Sequence, residues 1–205
     1  LGRGIRLQSA LNVTTQKISG SLSLNNPNYN YTGNSLSSSL DVSSTDRTST
    51  SGFKSSKTGF SVGTSFEQYE NIYIAPNISL AFEDIEVDST ASKNIKKMEG
   101  NFFNVDAGYT VTSDQRNQSF KPTKGHKISF NQSLPLVQDS SSIKNALNVT
   151  KYHEFTEDLI GSIKFYAAAI NGIDDEVRLT NRLYVPRSRL RGFDTSKVGP
   201  KDGED

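Results

Sequence analysis

The chain has 205 residues, a formal net charge of +1, 33% hydrophobic residues and no cysteine, with a mean hydropathy of −0.55. That length holds one large domain or two small ones, the missing thiols exclude a disulfide framework and a thiolate metal site, and the near-even charge balance gives no reason to expect nucleic acid as a partner. No run of 18 apolar residues is present, which excludes a transmembrane helix but leaves open a transmembrane barrel, whose strands meet lipid on one face only.

Ile5 to Val13 opens the chain with period-two alternation: Ile5, Leu7, Leu11 and Val13 share one face, and Arg6, Gln8 and Asn12 the other. Such alternation marks a strand with one apolar side. Lys17 to Leu24 repeats it with Ile18, Leu22 and Leu24 against Ser19, Ser21 and Ser23. A turn-rich stretch from Asn25 to Gly33 leads to a third strand, Ser35 to Ser43. Thr45 to Lys57 reads as a polar loop, and Thr58 to Glu67 as the fourth strand. After a short link at Gln68 to Asn71, Ile72 to Val87 is the longest strand, with Ile72, Ile74, Ile78, Leu80 and Phe82 on one side. Its phase slips near Asp84, where Ile85 and Val87 take the other parity, so a bulge or an exit from an apolar zone is expected.

Asp88 to Gly100 reads as a long polar loop. Phe102 to Val111, His126 to Leu136, Ile143 to Tyr152 and Leu159 to Ile170 complete the set, with Thr112 to Gly125 and His153 to Asp158 as connections. Gln132 falls on the apolar side and breaks its pattern. Nine strands and no helix of normal length give an all-β, antiparallel fold, and each strand is long enough to cross a bilayer core at a tilt. A soluble β-sandwich also alternates. Against it stand the strand lengths and polar faces built mostly of Ser, Asn, Gly and Thr, which suit a water-filled lumen. Tight links near Gln68 and His153, with longer ones at Thr45, Asp88 and Asn171, resemble the two ends of an outer-membrane barrel, although Thr112 to Gly125 is long on the short-turn side.

Residues 171–205 read as one long loop containing Leu190, Arg191, Gly192 and Phe193, then Gly199 and Pro200. Gly192 permits a turn that a larger residue resists. Phe193 is apolar in polar surroundings, and Arg191 offers a planar fork suited to a fixed carboxylate. The group has the character of a loop tip built to lock into a cavity.

With the strand series, these residues resemble the BamA family of outer-membrane assembly factors. RLRGF followed by VGP is similar to its [VI]-R-G-[FY] motif and downstream G-P, with Leu190 in place of the usual Val or Ile. LGRGIRL resembles the L-G-x-G start of a barrel strand, and LSLNNPNYNYTGNSL the strand, N-P turn and following strand. DQRNQSFKPTKGHKISF resembles the turn in which a Pro-Thr-x-Gly stretch opens a strand, here with Pro122 and Gly125. These pieces run in the family's order along essentially the whole chain.

The resemblance implies a sixteen-stranded transmembrane barrel preceded by POTRA domains. Residues 1–205 then form part of the barrel domain, from the third to the eleventh strand, with most of the sixth outer loop in 171–205. The chain starts at Leu1 without a methionine or signal peptide and stops in polar Gly203-Glu204-Asp205, and it is read as a piece of a longer protein. The implied location is the bacterial outer membrane. The implied activity is insertion of other outer-membrane proteins without covalent catalysis or cofactor. The implied partners are the lipid bilayer, nascent outer-membrane clients and accessory assembly lipoproteins. Arg191 inherits the locking role, with Gly192 and Phe193 shaping the tip. A secretion transporter of the two-partner type, in the same superfamily, is the alternative; a soluble binding sandwich is a more distant one.

Other chemistry finds little footing. Gly59-Phe60-Ser61-Val62-Gly63 fits G-x-S-x-G but lies inside an alternating strand rather than a strand–turn–helix setting. His126 and His153 sit at strand ends, and Asp174, Asp175 and Glu176 read as a solvated charge run, so no metal site is expected. Arg6, Lys127, Lys144 and Lys164 fall on polar faces, where they balance Asp41, Glu83 and Asp106 or favour anions in a channel.

Overall fold

The alternating segments pair in chain order into one antiparallel sheet. The computed structural model describes residues 4–89, 91–138, 141–173, 177–178, 181–183 and 192. Among them are nine strands: β1 (Arg6–Val13), β2 (Lys17–Asn26), β3 (Ser35–Arg47), β4 (Phe53–Tyr69), β5 (Ile72–Val87), β6 (Gly100–Asp114), β7 (Gly125–Gln138), β8 (Ser142–Thr156) and β9 (Leu159–Gly172). Each strand bonds to its sequence neighbours, in the order β1 to β9. Two four-residue helices, α1 (Thr48–Ser51) and α2 (Lys93–Lys96), sit in connections. No helix among the described residues is long and apolar enough to cross a membrane.

Register sorts the side chains onto two faces. Leu40, Phe60, Leu80 and Val105 lie in one cross-strand row, and Ser39, Ser61, Ser79 and Asp106 in the adjacent one. The large apolar side chains are on the outside of the sheet and uncovered: Leu11 is 74% exposed, Ile163 75% and Phe165 57%. On β5 this apolar row runs from Ile72 to Phe82, about 34 Å along the strand at ~3.4 Å per residue. A tilt of ~40° reduces its height to about 26 Å, which matches the apolar band of an outer-membrane barrel.

The strands outrun their sequence signal. Thr45–Lys57 is not a loop: β3 continues to Arg47 and β4 begins at Phe53, with Arg47 opposite Phe53. Here the outward positions are Ser44, Asp46, Lys54 and Ser56, so apolar alternation ends while backbone pairing continues. The same holds at Asp84. Pairing from Phe53↔Val87 to Gly63↔Asn77 is continuous, so the parity change is an exit from the apolar band and not a bulge. Ile85 (3% exposed) and Phe53 (6%) turn to the polar side and form a small buried core there.

Real register shifts occur at Glu67/Tyr69, Val105/Asp106 and Glu154/Thr156. Pro135 lies at the second of these, opposite Asp106, where a residue without an N–H disturbs the ladder least. The expected contrast between the sheet's two ends is weak. One end carries links 14–16, 48–52, 88–99 and 139–141, the other 27–34, 70–71, 115–124 and 157–158. Long and short links occur at both.

Candidate functional site: a loop root on the polar face

The polar face is not uniform, and its most buried polar side chains gather on β5, β6 and β8. Glu83 on β5 is 3% exposed and Asn104 on β6 is 6% exposed. Both belong to the face that carries Phe102 and Asp106, since Glu83 pairs with Phe102 and Ser79 with Asp106. Ser133 on β7 donates to Asp106 Oδ1 at 3.3 Å. Lys144 on β8 completes the group, and the charges acting on it are those of Lys57, Asp106, Glu83 and Arg178.

Arg178 comes from the segment after β9. It is 5% exposed, its Nη2 donates to Asn104 Oδ1 at 2.8 Å, and its guanidinium lies 4.1 Å from the Phe102 ring centroid. Three residues on, Asn181 Oδ1 accepts from Lys144 Nζ at 3.2 Å. Asn181 N and Arg182 N both donate to Arg178 O. Ile173 N bonds Ser141 O, so the chain leaves β9 beside the β7–β8 link. The root of the long loop therefore touches the polar face of β6 and of β8, the two strands that flank β7. Sequence reasoning missed Arg178. Nothing local distinguishes it from other loop arginines, and its acceptor is 74 residues away.

The residues expected to form the loop tip are mostly outside the described part: Leu190, Arg191, Phe193, Gly199 and Pro200, with Asp174, Asp175 and Glu176. Gly192 is described, with φ +83°, the left-handed conformation its lack of Cβ permits. Pro122 and Gly125 are at the opposite end of the sheet, in the 115–124 link. Gly125 has φ +94°, and a Cβ there would collide with the carbonyl oxygen of Gln115. Pro122 follows Lys121, whose φ is +49°. That link is braced by Asn117 Oδ1, which accepts from Thr123 N and Lys124 N at 3.1 and 3.2 Å. Arg116 grips Asp114 with two hydrogen bonds of 2.7 and 2.6 Å, which raises the guanidinium's pKa. Lys127 joins the same carboxylate at 3.5 Å.

The remaining residues resolve into wall structure. Ser61 lies inside β4 and shares a 2.9 Å hydrogen bond with Ser39, so the G-x-S-x-G stretch has no turn or helix behind it. His126 is opposite Lys151, while His153 stacks edge-on against Phe155 at 4.8 Å. No group of three metal-ligating side chains occurs among the described residues. Arg6, Lys127, Lys144 and Lys164 all fall on the polar face by register. Gln132 does point to the apolar side, where it is partnered: Tyr109 Oη donates to its Oε1 at 2.9 Å and its Nε2 donates to Asn145 Oδ1 at 2.7 Å. Three cross-strand neighbours thus satisfy one another on a face without water.

The profile of the Omp85 superfamily domain matches residues 1–205. The chain is 30% identical over 129 residues to the outer membrane protein assembly factor BamA of Nitratidesulfovibrio vulgaris, a match covering 60% of this chain and 16% of that protein. It superposes on the crystal structure of BamA from Haemophilus ducreyi lacking POTRA domains 1–3 with a TM-score of 0.70 and 17% identity, over 85% of this chain and 37% of the other. The chain thus spans a small part of the relatives it matches. Its outward apolar band, hydrophilic inner face and returning loop root are those of a barrel wall, and it belongs to the Omp85 superfamily of the bacterial outer membrane.

Proposed function

We propose that this chain is the wall and loop-bearing part of a BamA-like factor that folds and inserts outer-membrane proteins, working without covalent catalysis. The reading is carried by the superfamily match over the whole chain, together with a long loop whose root packs on the inner face. The physical logic is that an open sheet edge in lipid is costly, because its backbone groups find no water. A barrel that opens a seam offers that edge to an incoming strand by β-augmentation. The 1–205 segment supplies a stiff wall, and 171–205 the loop held in the lumen. In this reading Arg191 fastens the tip to a carboxylate, Gly192 and Phe193 shape it, and accessory lipoproteins act with the assembled protein.

The test is depletion of the full-length protein in its own cell. Outer-membrane barrels should lose their heat-modifiable folded form within a few generations, and the wild-type copy should restore it. Normal folding of those barrels during depletion, with loss of a secreted polypeptide instead, overturns the reading in favour of a secretion transporter.

A further inference from the structure

Arg178 calls for an account of its own. It is a charged side chain in the segment after β9, yet it is almost wholly removed from solvent. Burying a guanidinium is unfavourable unless hydrogen bonds and nearby charge compensate it. Here compensation comes from the wall: the Asn104 side-chain carbonyl oxygen at 2.8 Å and the face of Phe102 at 4.1 Å, while Arg178 acts on Lys144 together with Lys57, Glu83 and Asp106. Asn181 adds an independent attachment to a different strand through Lys144. Two contacts on β6 and β8, bridging β7, fix both position and direction of the chain at this point.

We infer that Arg178 is a positioning residue that latches the root of the loop to the wall, separately from any fastening at Arg191. Arg191 lies thirteen positions after Arg178, and a chain of thirteen steps reaches at most about 45 Å. With the root fixed at Arg178, the tip is tethered within that reach of the Asn104–Lys144 part of the wall. With the root free, the tether starts at Gly172, and its reach grows to about 65 Å. Loop closure entropy makes the latch effective, because it shortens the segment that the tip must order on docking. The anchoring stands on contacts alone; its value for presenting Arg191 rests on the function proposed above.

The test uses the full-length protein in isolated outer membranes, with a single reporter Val177→Cys, since residues 1–205 contain no cysteine. Val177 is half-buried beside the latch. Labelling of that thiol by a water-soluble maleimide should be slow in the parent, at least tenfold faster with Arg178→Ala, and intermediate with Arg178→Lys, which keeps the charge but loses the fork. Arg191→Ala should leave it within about twofold of the parent, because the root is held on its own. If Arg178→Ala abolishes the heat-modifiable form, Asn104→Leu and Lys144→Met replace it, each expected to accelerate labelling by threefold or more. Labelling that rises with Arg191→Ala but not with any root variant overturns the latch. Client assembly measured in the same strains separates the two claims. Faster labelling with unaffected assembly keeps the latch and removes the assembly reading of the loop.

Discussion

The inner face has two unlike halves. On β2, β3 and β4 it is mostly small, with Ser19, Ser21, Ser23, Ser35, Ser37, Ser39, Gly59, Ser61 and Gly63 set around the charged Asp41 and Lys57. Their hydroxyls bond to the wall itself: Ser37 to Gly63 O at 3.2 Å, Ser35 to Ser65 O at 3.4 Å, and Ser39 to Ser61 at 2.9 Å. On β5 to β8 the same face carries Glu83, Asn104, Asp106, Lys127 and Lys144, whose longer side chains reach beyond their own strands to the loop and to each other. Short hydroxyl groups leave more room in the lumen and give a loop little to hold. Long amide and charged groups narrow it and provide fixed partners. One strand pattern, polar at every second position, thus builds a smooth wall and a gripping wall.

The comparison can be broken most severely at the gripping half. Asn104→Leu removes the acceptor from a buried guanidinium and should destabilise the full-length protein by about 2–3 kcal/mol, seen as a lower midpoint of guanidinium unfolding in detergent. Next comes the border between the halves. Asn77 on β5 occupies a slot left by Gly63 and Gly108, and a Cβ at Gly63 would stand 3.0 Å from both Asn77 Cβ and Pro76 O. Gly63→Val should therefore cost about 1–3 kcal/mol by overpacking, read by the same unfolding curve. Across the sheet on the lipid side, Gln132→Leu leaves the Tyr109 hydroxyl and the Asn145 amide without their shared partner. It should cost about 1 kcal/mol despite the gain in apolarity.

On the smooth half, Ser39→Ala should cost about 0.5–1 kcal/mol; a loss as large as that of Asn104→Leu would erase the distinction between the halves. Smallest of all, Lys127→Met should change the midpoint by less than about 0.5 kcal/mol, because that side chain is 43% exposed and Arg116 keeps its grip on Asp114.

The wall was readable from the sequence where lipid writes a signal into it. Between Ile72 and Phe82 every outward residue but Pro76 is a large hydrophobe, and the strand is legible residue by residue. Beyond the band, at Thr45 to Lys57 and from Asp84 onward, outward positions become polar and the alternation stops, though backbone hydrogen bonds continue. Those strand ends were hidden because backbone pairing is indifferent to side-chain polarity. Gln132 looked like an error in the pattern because its partners, Tyr109 and Asn145, are supplied by other strands. Arg178 was hidden for the same reason. A buried arginine and an exposed one look alike until the strand that holds it is known, and here that strand lies far back in the chain. The loop motif drew attention to Arg191, but local composition carries no mark of where a loop first touches the wall.

The most direct test of the account is a cysteine scan along β5 of the full-length protein in bilayers. Ile78, Leu80 and Phe82 point to one face, Asn77, Ser79 and Ala81 to the other. Fluorophores attached at the first three should be quenched by spin labels on lipid acyl chains and resist aqueous iodide, and those at the second three should behave in the opposite way. Equal quenching of both sets by iodide, or lipid quenching at Ser79 and Ala81, would contradict a wall with lipid outside and water within.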